Sequence, residues 1–253
     1  MVFDGEELLE YATKSIRNQV DFISVTYQTT SYFGNPSGPD LLPLLERLKA
    51  EKLIDQLIFY EPDLKLHHKE NELRLRNIGL QASREAGCTY HISADVDEFY
   101  VAEQLEYAKK IMEKGDFNYS MVPIETYFKK PTFLVTPSQK LFVTFIHPVR
   151  NEYNRNAVYP DFPFRIERTR RLNLGNNYRI FSKSEVIMHH MSYVRKDIRK
   201  KFKNSDNAQY YKIEKFIENH NTYELGNRVC LLPDYLNRKT KLVENQFNIQ
   251  FED

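Results

Sequence analysis

The sequence predicts a mixed α/β fold: a mainly parallel sheet flanked by helices, then an antiparallel extension and C-terminal helices. Three observations carry this. Up to residue 124, short runs of β-forming residues alternate with segments whose apolar residues recur at helical spacing, the pattern of crossovers between parallel strands. After Pro131 the β-like runs follow one another with no helix between them. Finally, 253 residues with 41% hydrophobic content can build one large core, and no Pro/Gly/Ser-rich linker divides the chain, so a single domain over residues 1–253 is expected.

In order, Asp4 and Glu7 form a helix-start signature, and Leu8, Leu9, Ala12 and Ile16 repeat at helical spacing behind it. Phe22 to Tyr27 is a buried strand. A loop from Gln28 to Asp40 follows, marked by Gly34, Pro36, Gly38 and Pro39. Leu41, Leu42, Leu44, Leu45 and Leu48 give the next helix, and Gln56 to Tyr60 the next strand. A helix from about Asn71 to Ala86 stops at Gly87 and feeds a strand over Tyr90–Ala94. Val101 to Lys114 is helical again, ended by Gly115, and Tyr119–Ile124 is another strand. Beyond it, Phe133–Val135, Leu141–Ile146, Phe164–Ile166 and Glu185–Met191 are expected strands, and Val194–Asn204 and Ala208–Asn219 expected helices. The tail from Leu231 to Asp253 is polar and gives no clear pattern. One irregularity stands at the start. A doubly wound sheet opens on a strand, yet only Met1-Val2-Phe3 precede the first helix, so that strand is very short or lies upstream of the chain.

Composition narrows the function classes. Lys+Arg 36 against Asp+Glu 35 gives a net charge of +1, so no bulk field favours nucleic acid. Mean hydropathy is −0.61, no apolar run has the length of a membrane span, and no signal-peptide pattern opens the chain. Cys88 and Cys230 stand far apart in no metal-like spacing, which fits a reducing compartment, and the expected location is cytoplasmic.

The chemistry concentrates at His91-Ile92-Ser93-Ala94-Asp95-Val96-Asp97-Glu98-Phe99-Tyr100. A strand that ends in Asp-x-Asp delivers two carboxylates to the ligand crevice of an open α/β sheet, and such a pair suits a hard divalent ion that keeps waters and rides on substrate phosphates. The alternative is an acid-solvated loop. Arg76, on the preceding helix, is either a permanent cation for a diphosphate or one solvated arginine among Arg74 and Arg84. His189 and His190 end a strand, so only one of them faces the site; a hydrogen-bonded structural histidine competes with the ligand reading. Arg195, Lys196, Arg199, Lys200, Lys201 and Lys203 form a basic cluster whose default is a solvated face, with Arg195 as the candidate phosphate contact and anionic acceptors, or the surface of a membrane carrying lipid-linked acceptors, as weaker options.

The runs Arg76-Asn77-Ile78-Gly79-Leu80, Ala86-Gly87-Cys88 and Asp95-Val96-Asp97-Glu98-Phe99-Tyr100 resemble bacterial family-two-type glycosyltransferases of the GT-A fold. Phe3–Glu10, the Tyr27-Gln28 strand end and His189-His190-Met191-Ser192-Tyr193-Val194-Arg195 resemble one subgroup. The resemblance implies a GT-A-like (Rossmann-like) sheet, with residues 1–125 as the nucleotide-sugar-binding half and 126–253 as the acceptor half. It implies metal-dependent transfer of a sugar from a nucleotide diphosphate donor, a UDP-sugar, to a hydroxyl of a glycan or lipid-linked acceptor, as in surface glycan or polysaccharide synthesis. Mn²⁺ or Mg²⁺ is the implied cofactor, because a cation must absorb the charge that develops on the departing diphosphate.

Asp97 is implied as the direct metal ligand, with Asp95 on the ribose or reaching the metal through water, and His190 as a further ligand. Gln28, Arg76, Asn77, Asp95 and Arg195 are the implied donor contacts. An inverting transfer also needs a carboxylate base; Glu125, Asp161 and Glu167 are the candidates, with Asp161 and Glu167 preferred and a structural role open for each. On this reading Asp97→Asn abolishes metal-dependent donor binding and leaves the fold intact. The chain departs from the family at its first strand, whose end contacts the base. A degenerate transferase or sugar-nucleotide-binding protein is therefore the main alternative. Nucleotidyl transfer lacks its Gly-rich basic loop here, and an Asp-x-Asp phosphohydrolase would carry its nucleophile on the first strand.

Overall fold

The computed structural model describes residues 1–137, 141–159, 162–173, 177–205, 213–229 and 238–251. The candidate base Asp161, Cys230 and the first residues of the expected Ala208–Asn219 helix lie outside them.

Helix α1 (Glu6–Ile16) begins after Gly5, whose φ of 78° serves as the cap, with Glu6 and Glu7 in the first turn where acids complement the helix dipole. Asp4 is not the cap; its carboxylate accepts from Asn204 instead. Strand β1 (Ser24–Tyr27), helix α2 (Leu41–Ala50) and strand β2 (Gln56–Phe59) follow, and Leu41, Leu45 and Leu48 bury one face of α2. Helix α3 (His68–Glu85) starts before the expected Asn71, because the His67 imidazole caps it by accepting from the Lys69 amide.

Strand β3 is only Tyr90–His91, and a second short strand, β4 (Glu98–Phe99), follows the acids. Helix α4 (Ala102–Gly115) leads to β5 (Tyr119–Phe128), then β6 (Phe133–Thr136), β7 (Leu141–Thr144), β8 (His147–Pro148), β9 (Arg165–Ile166), β10 (Tyr178–Ile180) and β11 (Met188–Tyr193). Helices α5 (Ile198–Lys203) and α6 (Ile213–Thr222) and strands β12 (Arg228–Val229) and β13 (Arg238–Leu242) complete the described elements.

The sheet departs from the mainly parallel expectation. β1 and β2 pair in parallel, but the nine-stranded sheet is mixed and mostly antiparallel. Its spine is β5, parallel to β10 and β11 and antiparallel to β6 and β7. β13 joins β6 and β12 joins β13, both antiparallel. The cause is the long β5, which runs past the expected Ile124 to Phe128 and returns at once through β6, leaving no crossover helix to enforce parallel pairing. Among the described residues six helices accompany the strands, and none is long and apolar enough to cross a membrane. The site depends on one detail: β11 runs antiparallel to β4, with His190 opposite Glu98 and His189 opposite Phe99.

Candidate active site

The Asp-x-Asp motif is a tight turn. The Glu98 amide donates to the Asp95 carbonyl at 3.1 Å, so Asp95 opens the turn and Asp97 sits two residues on, just before β4. Both carboxylates are held by cations rather than left to solvent. Asp95 Oδ2 accepts from Arg170 Nη2 at 2.8 Å and from Arg76 Nη2 at 3.3 Å. Asp97 Oδ2 accepts from Arg195 Nη2 at 2.6 Å and from Lys201 Nζ at 3.2 Å.

Arg76 is no solvated helical arginine. Its guanidinium is buried and also meets Glu72 Oε1 at 2.8 Å, Ser93 Oγ at 2.9 Å and Thr169 Oγ1 at 3.2 Å. Arg170 forks onto both oxygens of Glu98 (2.7 and 2.5 Å), a bidentate geometry that only a guanidinium provides. Burial works against every charge here, but the cations outweigh it at three acids. Glu72 is brought down to about 2 by Arg76 and Lys69, Asp95 is lowered by Arg76 and Arg170, and Asp97 by Lys201, Arg195 and His190. Glu98 goes the other way, its burial pushing the carboxyl up against the pull of Arg170.

The two histidines divide as alternation on a strand requires. His190 turns to the turn, its Nε2 lying 3.6 Å from Asp97 Oδ1. His189 turns away into the sheet, with Nδ1 2.8 Å from the Tyr127 hydroxyl, and burial lowers its pKa to about 4. Gly5 lets Arg195 reach Asp97: a Cβ there would lie 1.6 Å from Arg195 Nη1.

A cavity of 230 Å³ opens over the turn, walled by Gln28, Tyr32, Asp95, Asp97, Arg195 and Lys201 among others. Several buried polar atoms of these residues have no hydrogen-bond partner among the described residues: Gln28 Oε1, Asp95 Oδ1, and Arg195 Nε and Nη1. Buried polar atoms are nearly always paired, so orphans on three residues that line one cavity point to a polar ligand there.

The remaining candidates stand elsewhere. Asn77 spends its amide on Tyr153, donating to its carbonyl at 3.1 Å and accepting from its N–H at 3.0 Å, so it clamps the segment after β8 and does not border this cavity. Glu167 accepts from the Thr169 backbone and hydroxyl and lies 3.7 Å from Arg170. Glu125, on β5, pairs with Lys183 at 3.2 Å. In the basic cluster, Arg199 pairs with Glu214 and Lys200 with Glu6, so these two are not a bare cationic face.

The donor set fits a divalent cation in a limited way. Among the described residues no group of three or more His, Cys, Asp and Glu side chains gathers as a metal cluster. Asp97 Oδ1 and His190 Nε2 nevertheless face one another, and Asp95 Oδ1 is unengaged. One carboxylate and one imidazole suffice for an ion that fills its shell with water and phosphate oxygens, as Mg²⁺ and Mn²⁺ commonly do. The charge network was only half visible in the sequence: Glu98 and Lys201 lie in the motif run and the basic cluster, but Glu72 carries no motif, and Arg170 stands 75 residues from Asp95. No family model matches the chain, and no curated protein matches it.

Proposed function

We propose that this chain is a metal-dependent glycosyltransferase of GT-A type, moving a sugar from a nucleotide diphosphate donor to an acceptor hydroxyl. One observation supports it above the others: Gln28, Asp95 and Arg195, which line the cavity over the Asp-x-Asp turn, each carry an unpartnered buried polar atom. A nucleotide diphosphate offers the matching chemistry, with hydroxyl and base donors for Gln28 and Asp95 and phosphate oxygens for Arg195.

In this reading Arg195 and Lys201 hold the diphosphate, and Gln28 and Tyr32 border the nucleoside. Arg76 and Arg170 keep the turn rigid by tying Asp95 and Glu98 to α3 and to Thr169. Asp97 and His190 would hold Mn²⁺ or Mg²⁺, which when bound neutralises the diphosphate as a leaving group. The acceptor, a glycan or a lipid-linked sugar, enters from the residues 126–253 side. A cytoplasmic setting suits such donors.

The second reading is a sugar-nucleotide-binding protein without turnover. Its support is that the Oδ2 atoms of both acids are already engaged, Asp95 by Arg76 and Arg170, and Asp97 by Arg195 and Lys201. Calorimetric titration with UDP-glucose and UDP-galactose, with and without Mn²⁺, separates the two. Metal-dependent binding with release of UDP supports the transferase. Metal-dependent binding with no UDP release moves the assignment to the binding protein, and no binding of any nucleotide sugar or free UDP refutes both.

A further inference from the structure

The basic cluster around α5 is where the sequence puts a cationic face, yet its charges are engaged: Arg195 and Lys201 on Asp97, Lys200 on Glu6 and Arg199 on Glu214. Uncompensated cations gather elsewhere, on the two strands that close the other end of the nine-stranded sheet. β13 reads Arg-Lys-Thr-Lys-Leu, and strand alternation puts Lys239 and Lys241 on one face and Thr240 on the other. Thr240 is buried, its hydroxyl 2.9 Å from that of Tyr223. Lys239 and Lys241 are exposed, and directly across the ladder from Lys239 stands Arg228 of β12, exposed as well.

Directly opposed strand residues have Cβ atoms about 5 Å apart, and residues two apart on one strand about 7 Å, so three positive charges share a small triangle. Like charges set opposite one another destabilise a sheet. Among the described residues no side chain engages these three charged groups; the exposed acids nearest in sequence, Glu224 and Glu244, form no ion pair with them. Protection of a sheet edge accounts for Arg228 on the outermost strand. It does not account for Lys239, which lies between β12 and β6 with both neighbours paired. Two exposed leucines stand close by in the chain. Leu242, 64% exposed, follows Lys241, and Leu225, 49% exposed, precedes β12.

We propose that this face docks on a bilayer surface containing anionic lipid. Lipid phosphates supply the negative charge that Arg228, Lys239 and Lys241 are without, each cation adding to the attraction. Leu225 and Leu242 bring aliphatic side chains to the headgroup boundary, for which a soluble polyanion offers nothing. With a net charge of +1 over the whole chain, the attraction is local to this face. The sheet order β12-β13-β6-β5-β11-β4 sets β13 four strand spacings, about 19 Å, from β4 and the acidic turn before it. The transfer site therefore stands off the bilayer, within reach of a sugar that projects from a lipid. On the transferase reading this favours the lipid-linked acceptor over a free glycan, and that consequence alone rests on the reading.

The test is co-sedimentation with vesicles of equal parts phosphatidylcholine and phosphatidylglycerol at low salt. Lys239→Gln/Lys241→Gln is expected to weaken binding about 30-fold. Lys49→Gln/Lys114→Gln, which removes two charges from exposed positions on α2 and α4, should change it by less than about 3-fold. Leu225→Ser/Leu242→Ser should weaken it about 10-fold and leave its salt dependence in place. All six side chains are exposed, so parental thermal melts are expected for each variant. No sedimentation with these vesicles overturns the proposal, as does equal sedimentation with pure phosphatidylcholine. Equal weakening by Lys49→Gln/Lys114→Gln makes the attraction a bulk effect and overturns the face. Heparin bound through Lys239 and Lys241 as tightly as the vesicles, with no effect of the leucine substitutions, makes this a polyanion site and overturns the bilayer. No nucleotide sugar enters these measurements, so failure here is distinct from failure of the transferase reading.

Discussion

Asp97→Asn removes one carboxylate charge and changes the shape of the turn very little. From the motif alone the substitution should silence metal-dependent donor binding and spare the fold. The structure predicts more. Arg195 and Asp97 are both buried, with side chains 3% and 7% exposed and a 2.6 Å contact. An amide in place of the carboxylate leaves the guanidinium without its counter-charge, and breaking one partner of a buried pair costs about 3–5 kcal/mol. Lys201, 3.2 Å away and more exposed, adds less because solvent screens it. For a chain of this size each kcal/mol shifts Tm by about 2–4 °C, so a fall of about 6–20 °C is expected. Thermal unfolding followed by circular dichroism measures it. In a cycle with Arg195→Met, the double variant should lose less than the sum of the singles by about 1.5 kcal/mol or more. A single variant within about 2 °C of the parent, with additive singles, would refute the claim that Asp97 and Arg195 carry each other.

Two further outcomes follow from other sites. His147 and His91 are buried as neutral rings 5.4 Å apart, with His147 Nε2 on the Tyr153 hydroxyl and His91 Nδ1 on Ser83. Burial lowers His147 to about 4 and His91 well below its ordinary value. The unfolded chain therefore takes up these protons first, near pH 6.5, while the folded chain does not. Stability is full above pH 6.5 and falls by about 1.4 kcal/mol per pH unit for each ring as pH drops toward 4. Denaturant midpoints at pH 7, 6 and 5 check this, and His147→Phe should flatten part of the slope. At Gly5, alanine meets both a left-handed φ and the Arg195 guanidinium, so Gly5→Ala should cost about 1–3 kcal/mol and, on the proposed reading, weaken UDP binding in calorimetry by displacing Arg195. A variant with parental Tm and UDP affinity would show that Gly5 is not what lets Arg195 pass.

What the sequence disclosed follows from the range of the interactions. The leucines of α2 and the apolar face of α1 are local patterns, and both helices fall where periodicity puts them. β4 and β10 are two and three residues long, too short for any period, and exist because β11 and β5 pair with them. β13 is Arg-Lys-Thr-Lys-Leu with Thr240 alone buried; its strand character comes from the β6 edge beside it. At the site, the one-in, one-out division of His189 and His190 follows from local spacing, whereas the Asp-x-Asp pair, expected at the end of a strand over Tyr90–Ala94, lies in a turn beyond a strand that stops at His91. The partners of the acids do not follow from spacing. Arg170 reaches Glu98 and Asp95 across more than seventy residues, and no spacing rule links them.

The balance of charge around the turn bears on what the site can accept. Glu72, Asp95, Asp97 and Glu98 face Arg76, Arg170, Arg195 and Lys201, with Glu167 on the outer side of Arg170. With Glu167 beside Arg170 and Lys69 on Glu72, five acids stand against five cations before anything binds, so a diphosphate needs positive charge that these pairs do not hold in surplus. Arg76 and Arg170 cannot turn to it, because each is locked to at least two carboxylates and to Ser93. Arg195 has two unpartnered nitrogens, and Lys201 is the most exposed of the four cations at the turn. If these two turn toward an anion, they uncover Asp97 Oδ2 beside His190, and a buried carboxylate stripped of its cations seeks another. On the proposed reading the anion and the divalent ion therefore favour each other's binding through Asp97, by the reciprocity that governs any two coupled ligands.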